Sequence, residues 1–77
     1  MPSIRRTGRR REIAQRLRKL RLALGLSQEQ AAKQLGIDRV QWGYLELGQQ
    51  SIPAERLVDV CRIVNTTPAE LLGAEAA

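Results

Sequence analysis

Residues 25–48 read GLSQEQAAKQLGIDRVQWGYLELG, two short helical patterns divided by glycines at the spacing of helix stops. Ser27 opens the first as an N-cap, and Gln30, three residues on, completes a capping box. Ala31, Ala32 and Leu35 supply an inward face, and Gly36 ends the helix. Ile37 leads to Asp38, a second N-cap with Gln41 at the reciprocal position. Trp42 and Leu45 then point inward one turn apart, and Gly48 closes the pattern. Helices joined by so short a turn meet at a steep angle, one bracing the other, and the first turn of the second is left free to project.

Upstream, Ile13, Leu17, Leu20 and Leu24 fall at i, i+4, i+7 and i+11, one stripe of a helix that begins near Arg11 and is stopped by Gly25. Residues 1–10 carry Pro2, Gly8, Arg5, Arg6, Arg9 and Arg10 without apolar periodicity, and read as a disordered basic arm. Downstream, Gln49, Gln50 and Ser51 form a polar loop, and Pro53 suits the first turn of a fourth helix. Leu57, Val60, Cys61 and Val64 make the stripe of that helix, with Asn65 as a left-handed stop. Thr67-Pro68-Ala69-Glu70 is a capping box that starts a last short helix through Leu71 and Leu72. The expected organisation is all-α: a flexible arm over 1–10, one five-helix domain over 11–73 and a frayed tail over 74–77.

The charge is unevenly placed. Residues 1–25 hold nine basic side chains against Glu12 alone, whereas the remainder holds four against seven acids. A basic segment on a near-neutral body implies a polyanionic partner, nucleic acid before acidic membrane, although such segments also serve simply as solubilising tails. Apolar runs stay far short of the ~20 residues of a membrane span, and no uninterrupted apolar segment follows the N-terminal arginines as in a secretory signal. A soluble, cytoplasmic, nucleoid-associated protein without membrane contact is expected. With one cysteine and no histidine, the chain cannot form an internal disulfide, and a Cys/His metal cluster is excluded. No cofactor, metal site or catalytic residue is expected: paired acids on one face and a phosphate-cradling glycine loop are both missing.

The stretch from Ile13 to Leu72 resembles the five-helix DNA-binding domain of the Cro and phage-repressor family, the XRE-type helix-turn-helix proteins. The matching pieces are LRLALGLSQEQAA into the second helix, LGID across the turn, LELG closing the third helix and TPAELL in the fifth. The resemblance implies a lambda-repressor-like fold and duplex DNA as partner. It also implies that Arg21 and Glu46 form a buried structural ion pair between the first and third helices. Two positions depart from the family pattern together. Ala31 stands where leucine is usual and Trp42 where isoleucine or valine is usual, a compensating exchange in which the small residue makes room for the indole.

Winding the third helix at 100° per residue puts Trp42, Leu45 and Gln41 on one side and Val40, Gly43, Tyr44 and Leu47 on the other, with Arg39 at the edge. The second side is expected to face DNA. Arg39, in the first turn, can donate two bonds to guanine O6 and N7, or else meet a phosphate. Val40 suits a thymine methyl. Gly43 either admits a close approach of DNA or merely weakens the helix. Tyr44 reaches a base edge or a phosphate, or is partly buried beside the core. Ser27 and Gln28 at the second helix N-terminus are phosphate candidates, and the resemblance implies that role for Gln28. Gln49, Gln50 and Ser51 after the third helix, and Arg9, Arg10 and Arg11 of the basic segment, complete the phosphate set. Lys33 reads as a solvated face residue, and Cys61 as a core residue.

The expected function is sequence-specific binding of double-stranded DNA by a transcriptional regulator, a repressor acting as a homodimer on an inverted-repeat operator through helix 38–47. Val58, Ile63, Leu71 and Leu72 are candidates for the dimer surface or for a larger core. The alternative is an autoregulating antitoxin whose main partner is a toxin protein; an anti-repressor is a further possible protein partner. A third class, an RNA-binding or membrane-surface module driven by residues 1–11, requires Arg39 to be silent.

Overall fold

In the computed structural model, which describes residues 2–73 with side chains from Arg9 onward, five helices follow one another: α1 (Pro2–Ala23), α2 (Gln28–Leu35), α3 (Arg39–Leu47), α4 (Ala54–Ile63) and α5 (Pro68–Leu72). Their starts are set by local side-chain chemistry. Ser27 Oγ accepts from the Gln30 amide at 3.0 Å, and Gln30 Oε1 accepts from the Ser27 amide at 2.8 Å. Asp38 and Gln41 make the same reciprocal pair at 2.8 and 3.3 Å. Each box satisfies two amide donors that a helix start otherwise leaves open. Thr67 caps α5 through the Glu70 amide at 3.2 Å, with Pro68 at the first helical position.

Among the ends, Gly48 carries a double requirement. Its φ is +75°, and a Cβ there would come within 3.3 Å of the Arg11 backbone, so the chain leaves α3 pressed against α1. Asn65 supplies the left-handed turn after α4 at φ 58°.

The helices enclose a single cluster. Leu17, Ala31, Ala32, Leu35, Trp42, Leu45, Val60, Cys61, Val64 and Leu71 are buried, with Ile13, Leu20, Ile37, Ile52, Leu57 and Ile63 packed around them. α1 packs on α3 and α5, α2 on α3 and α4, and α4 on α5. That arrangement holds the α2–α3 unit from behind by both α1 and α4.

The structure departs from the sequence-based expectations at several points. Leu24 is 46% exposed, because α1 ends at Ala23 and the helical stripe stops with it; Ala14 and Arg21 fill the inward line instead. Gln41 is exposed, its side chain taken by the capping box rather than turned inward with Trp42 and Leu45. Leu71 is fully buried and belongs to the core, and Ile63 is partly buried against it, whereas Val58 is 52% exposed. From Pro2 the segment expected as an irregular arm continues α1. Arginine is a good helix former, so a segment without an apolar stripe extends a helix already nucleated by its neighbour. The tail expected over 74–77 lies outside the described residues.

Ala31 and Trp42 are both at 0% exposure in the same buried cluster, on helices α2 and α3 that pack together. Ala31→Leu is therefore expected to destabilise the domain by about 1–3 kcal/mol through overpacking. A thermal melt in which the variant unfolds at the parent temperature would reject that account of the pair.

Candidate nucleic-acid interface

The interface is built on a buried polar knot. Glu46, in the last turn of α3, is buried, and its carboxylate accepts from two other helices and from its own. Arg21 of α1 binds it in a two-pronged grip, Nε to Oε2 at 2.6 Å and Nη2 to Oε1 at 3.0 Å. Gln28, the first residue of α2, donates Nε2 to Oε1 at 3.0 Å, and the Trp42 indole N–H donates to Oε2. Arg21 also donates Nη1 to the Leu26 carbonyl at 2.7 Å, fixing the turn before α2. Among the described residues no buried side-chain polar atom lacks a partner. Such a pair is tolerated in a low-dielectric site because every charge and lone pair is answered.

Burial by itself pushes the Glu46 carboxyl up. The bonds from Arg21, Gln28 and Trp42, with the Arg21 charge, outweigh that effect and hold it below the ordinary carboxylate value. Glu46 is thus an anion held in place, and Arg21 and Glu46 serve as a brace. Burial raises the Cys61 thiol, which keeps it protonated and inert within the core. A groove of about 400 Å³ runs past Ile13, Ala14, Leu45, Ile52, Leu57 and Leu72, but Arg21, Glu46 and Cys61 do not line it.

The knot fixes the rotation of α3. With Trp42, Leu45 and Glu46 turned in, Arg39 and Val40 in the first turn face solvent, Val40 at 53% exposure. Tyr44 is 39% exposed on the same side, and Gly43 lies between them with nothing within 4 Å of where its Cβ would stand. The structure therefore brings Arg39, Val40, Gly43 and Tyr44 together on one convex face. Leu47, at 65% the most exposed large apolar residue among those described, continues that face and was not among the expected site residues. Its outward angle was legible from the helical winding, which put it beside Val40, Gly43 and Tyr44. Gly43 has no intramolecular reason to be glycine: neither space nor backbone conformation requires it.

The phosphate candidates divide. Ser27, at the start of α2, and Gln49, Gln50 and Ser51, after α3, are exposed. Gln28 is half-buried, its side-chain amide donating to Glu46, so it supports the brace. Arg10 and Arg11 are exposed on α1. Arg9 is engaged elsewhere: it donates to the Leu72 carbonyl at 3.0 Å at the end of α5. Arg16 likewise donates to Leu71 O at 3.3 Å, and Arg56 to Leu35 O at 2.9 Å at the end of α2. These three contacts join residues 21 to 63 positions apart, and no local signal marks them. Among the described residues no cluster of His, Cys, Asp and Glu could hold a metal, and no helix is long and apolar enough to cross a membrane.

Comparison with known proteins agrees with this geometry. Residues 12–72 match the model of a helix-turn-helix domain family. Among solved structures, the chain is similar to the restriction-modification controller protein C.AhdI from Aeromonas hydrophila. That match has 38% identity and a TM-score of 0.73, and covers 79% of this chain and 92% of that one. The fold is also shared with the clp gene regulator ClgR from C. glutamicum. Here identity is 21% and the TM-score 0.76, with 90% of this chain and 94% of that one covered. No curated protein matches the chain.

Two measurements check the site's construction. The depressed Glu46 carboxyl contributes stability that is fully present above its unfolded value, ~4.3, and is lost as pH falls through the lower folded value. Acid titration of the parent should show that loss below about pH 4. Glu46→Gln should be destabilised by about 3–5 kcal/mol at neutral pH, since Arg21 is left buried without its partner, and should show a flatter acid profile. A variant as stable as the parent would remove the brace from the account. Gly43→Ala should instead raise stability by ~1 kcal/mol, because helix propensity improves and the methyl meets open space. An unchanged or lower melting temperature would show that the position is strained within the chain.

Proposed function

The chain belongs to the helix-turn-helix domain family, and on that premise we propose that it is a sequence-specific double-stranded DNA-binding transcriptional regulator. α3 serves as the reading helix and α2 as its brace. The observation that carries this reading is the rotation of α3, which leaves Arg39 and Val40 exposed in the first turn while Trp42, Leu45 and Glu46 anchor the opposite side. In a helix-turn-helix protein that first turn enters the major groove.

Arg39 is assigned to a guanine edge through two parallel N–H donors, and Val40 to a thymine methyl. Gly43, Tyr44 and Leu47 extend along the groove. Ser27, Gln28, Gln49, Gln50, Ser51, Arg10 and Arg11 border the helix on the phosphate side, where they set register without reading sequence. The protein acts as a homodimer on an inverted repeat, with half-site centres about 34 Å apart, so that two copies of α3 enter successive major grooves. Repression follows from occupying a promoter. The likeness to a restriction-modification controller supports a regulator of this kind. No observation favours a toxin or anti-repressor partner.

Arg39→Ala is expected to cost ~1–3 kcal/mol on the selected site and to relax the choice at one base pair. Selection of duplexes from a random pool, sequenced for parent and variant, checks both the palindrome and the relaxed position. Equal loss on random and selected DNA would reassign Arg39 to a phosphate.

A further inference from the structure

The arginines of α1 are sorted by flank. Ala14, Leu17 and Arg21 form its buried line. On one side of that line Arg16 reaches the Leu71 carbonyl and Arg9 the Leu72 carbonyl, both at the C-terminal end of α5, where carbonyls lack helical partners. Lys19 stands on the same side, near Asn65, Thr66 and Glu70. On the other side Arg11, Gln15, Arg18 and Leu22 follow the i, i+4, i+7, i+11 spacing of one helix face, and all four are exposed. This second flank borders α3, since the Arg11 backbone lies against Gly48.

Both ends of the flank meet a segment already placed at the phosphates. At its N-terminal end is the loop that follows Gly48, with Gln49, Gln50 and Ser51 exposed. At its C-terminal end Arg21 ties the turn before α2 through the Leu26 carbonyl, next to Ser27 and Gln28. Arg18 lies between them, one turn before Arg21 and on the open side. Among the described residues it forms no ion pair or hydrogen bond, although it carries a guanidinium suited to phosphate oxygens.

We propose that the α3-side flank of α1, through Arg18 together with Arg11, is a third backbone-binding element of the DNA interface, whereas Arg9, Arg16 and Lys19 on the α5 side take no part in it. This rests on the DNA-binding reading above and extends it to a residue outside the helix-turn-helix unit. The bond is sequence-independent: Arg18 adds affinity and fixes the tilt of the domain over the duplex, leaving base choice to α3.

The test uses the full chain and a mixed-sequence DNA duplex of about three helical turns, titrated by fluorescence anisotropy from about 50 to about 200 mM KCl. Arg18→Gln should flatten the slope of log affinity against log salt by about 0.9, one lost phosphate contact, and Arg11→Gln should do the same. Lys19→Gln removes an equal charge from the other flank and should leave the slope at the parent value. Arg18→Lys keeps the charge and should hold the parent slope, and the melting temperature of each variant separates lost binding from lost folding. A slope for Arg18→Gln equal to that of Lys19→Gln, with the parent binding normally, would overturn the inference and leave the DNA reading intact. A parent that does not bind the duplex at all would overturn the DNA reading and this proposal with it.

Discussion

The carboxylate of Glu46 is the point on which this small domain turns. It accepts from Arg21 of α1, Gln28 of α2 and Trp42 of its own helix, so three helices meet at two oxygen atoms. An apolar contact resists separation but tolerates sliding and rotation. A two-pronged guanidinium–carboxylate pair does not, because both bonds require a common plane. In a chain of 77 residues, where the apolar core is necessarily thin, that directional constraint does what bulk packing does in larger proteins. It sets the angle at which α3 is presented to its surroundings.

The knot also explains how a tryptophan can be fully buried at the centre of so small a core. An indole brings large apolar area but also an N–H that is costly to bury alone. Glu46 stands one turn after Trp42 and receives that N–H, so one acid serves both the ion pair and the indole. Ala31, on the neighbouring α2, is buried in the same cluster. The small residue and the large one were both legible in the sequence as inward positions. The indole's acceptor was not, because the sequence does not show that one carboxylate serves both the guanidinium and the indole.

Legibility followed the range of the interaction. The capping boxes at Ser27 and Asp38, the left-handed stop at Asn65 and the proline start of α5 are chemistry within four residues, and each could be read directly. The inward faces of α2 and α4 followed from periodicity. Periodicity misled where a helix ended earlier than its apolar pattern, as at Leu24, and was silent where a helix had no apolar stripe, as before Arg11. The contacts of Arg9, Arg16 and Arg56 with distant helix ends were beyond reach, since a charged side chain on a surface gives no sign of which carbonyl it will find. The outward side of α3, Leu47 included, followed from winding the helix at 100° per residue.

Inward and outward residues of α3 alternate along the chain yet occupy separate sides of the helix. The residues at 42, 45 and 46 are buried in the core or tied into the Glu46 knot, while those at 39, 40, 44 and 47 are exposed and Gly43 has open space at its Cβ. Evolution can therefore exchange the second group wholesale, drawing new vocabularies onto an unaltered scaffold. A change in the first group must be answered by a matching change on α1 or α2. Divergence in such a lineage would run quickly on one side of a nine-residue helix and slowly on the other.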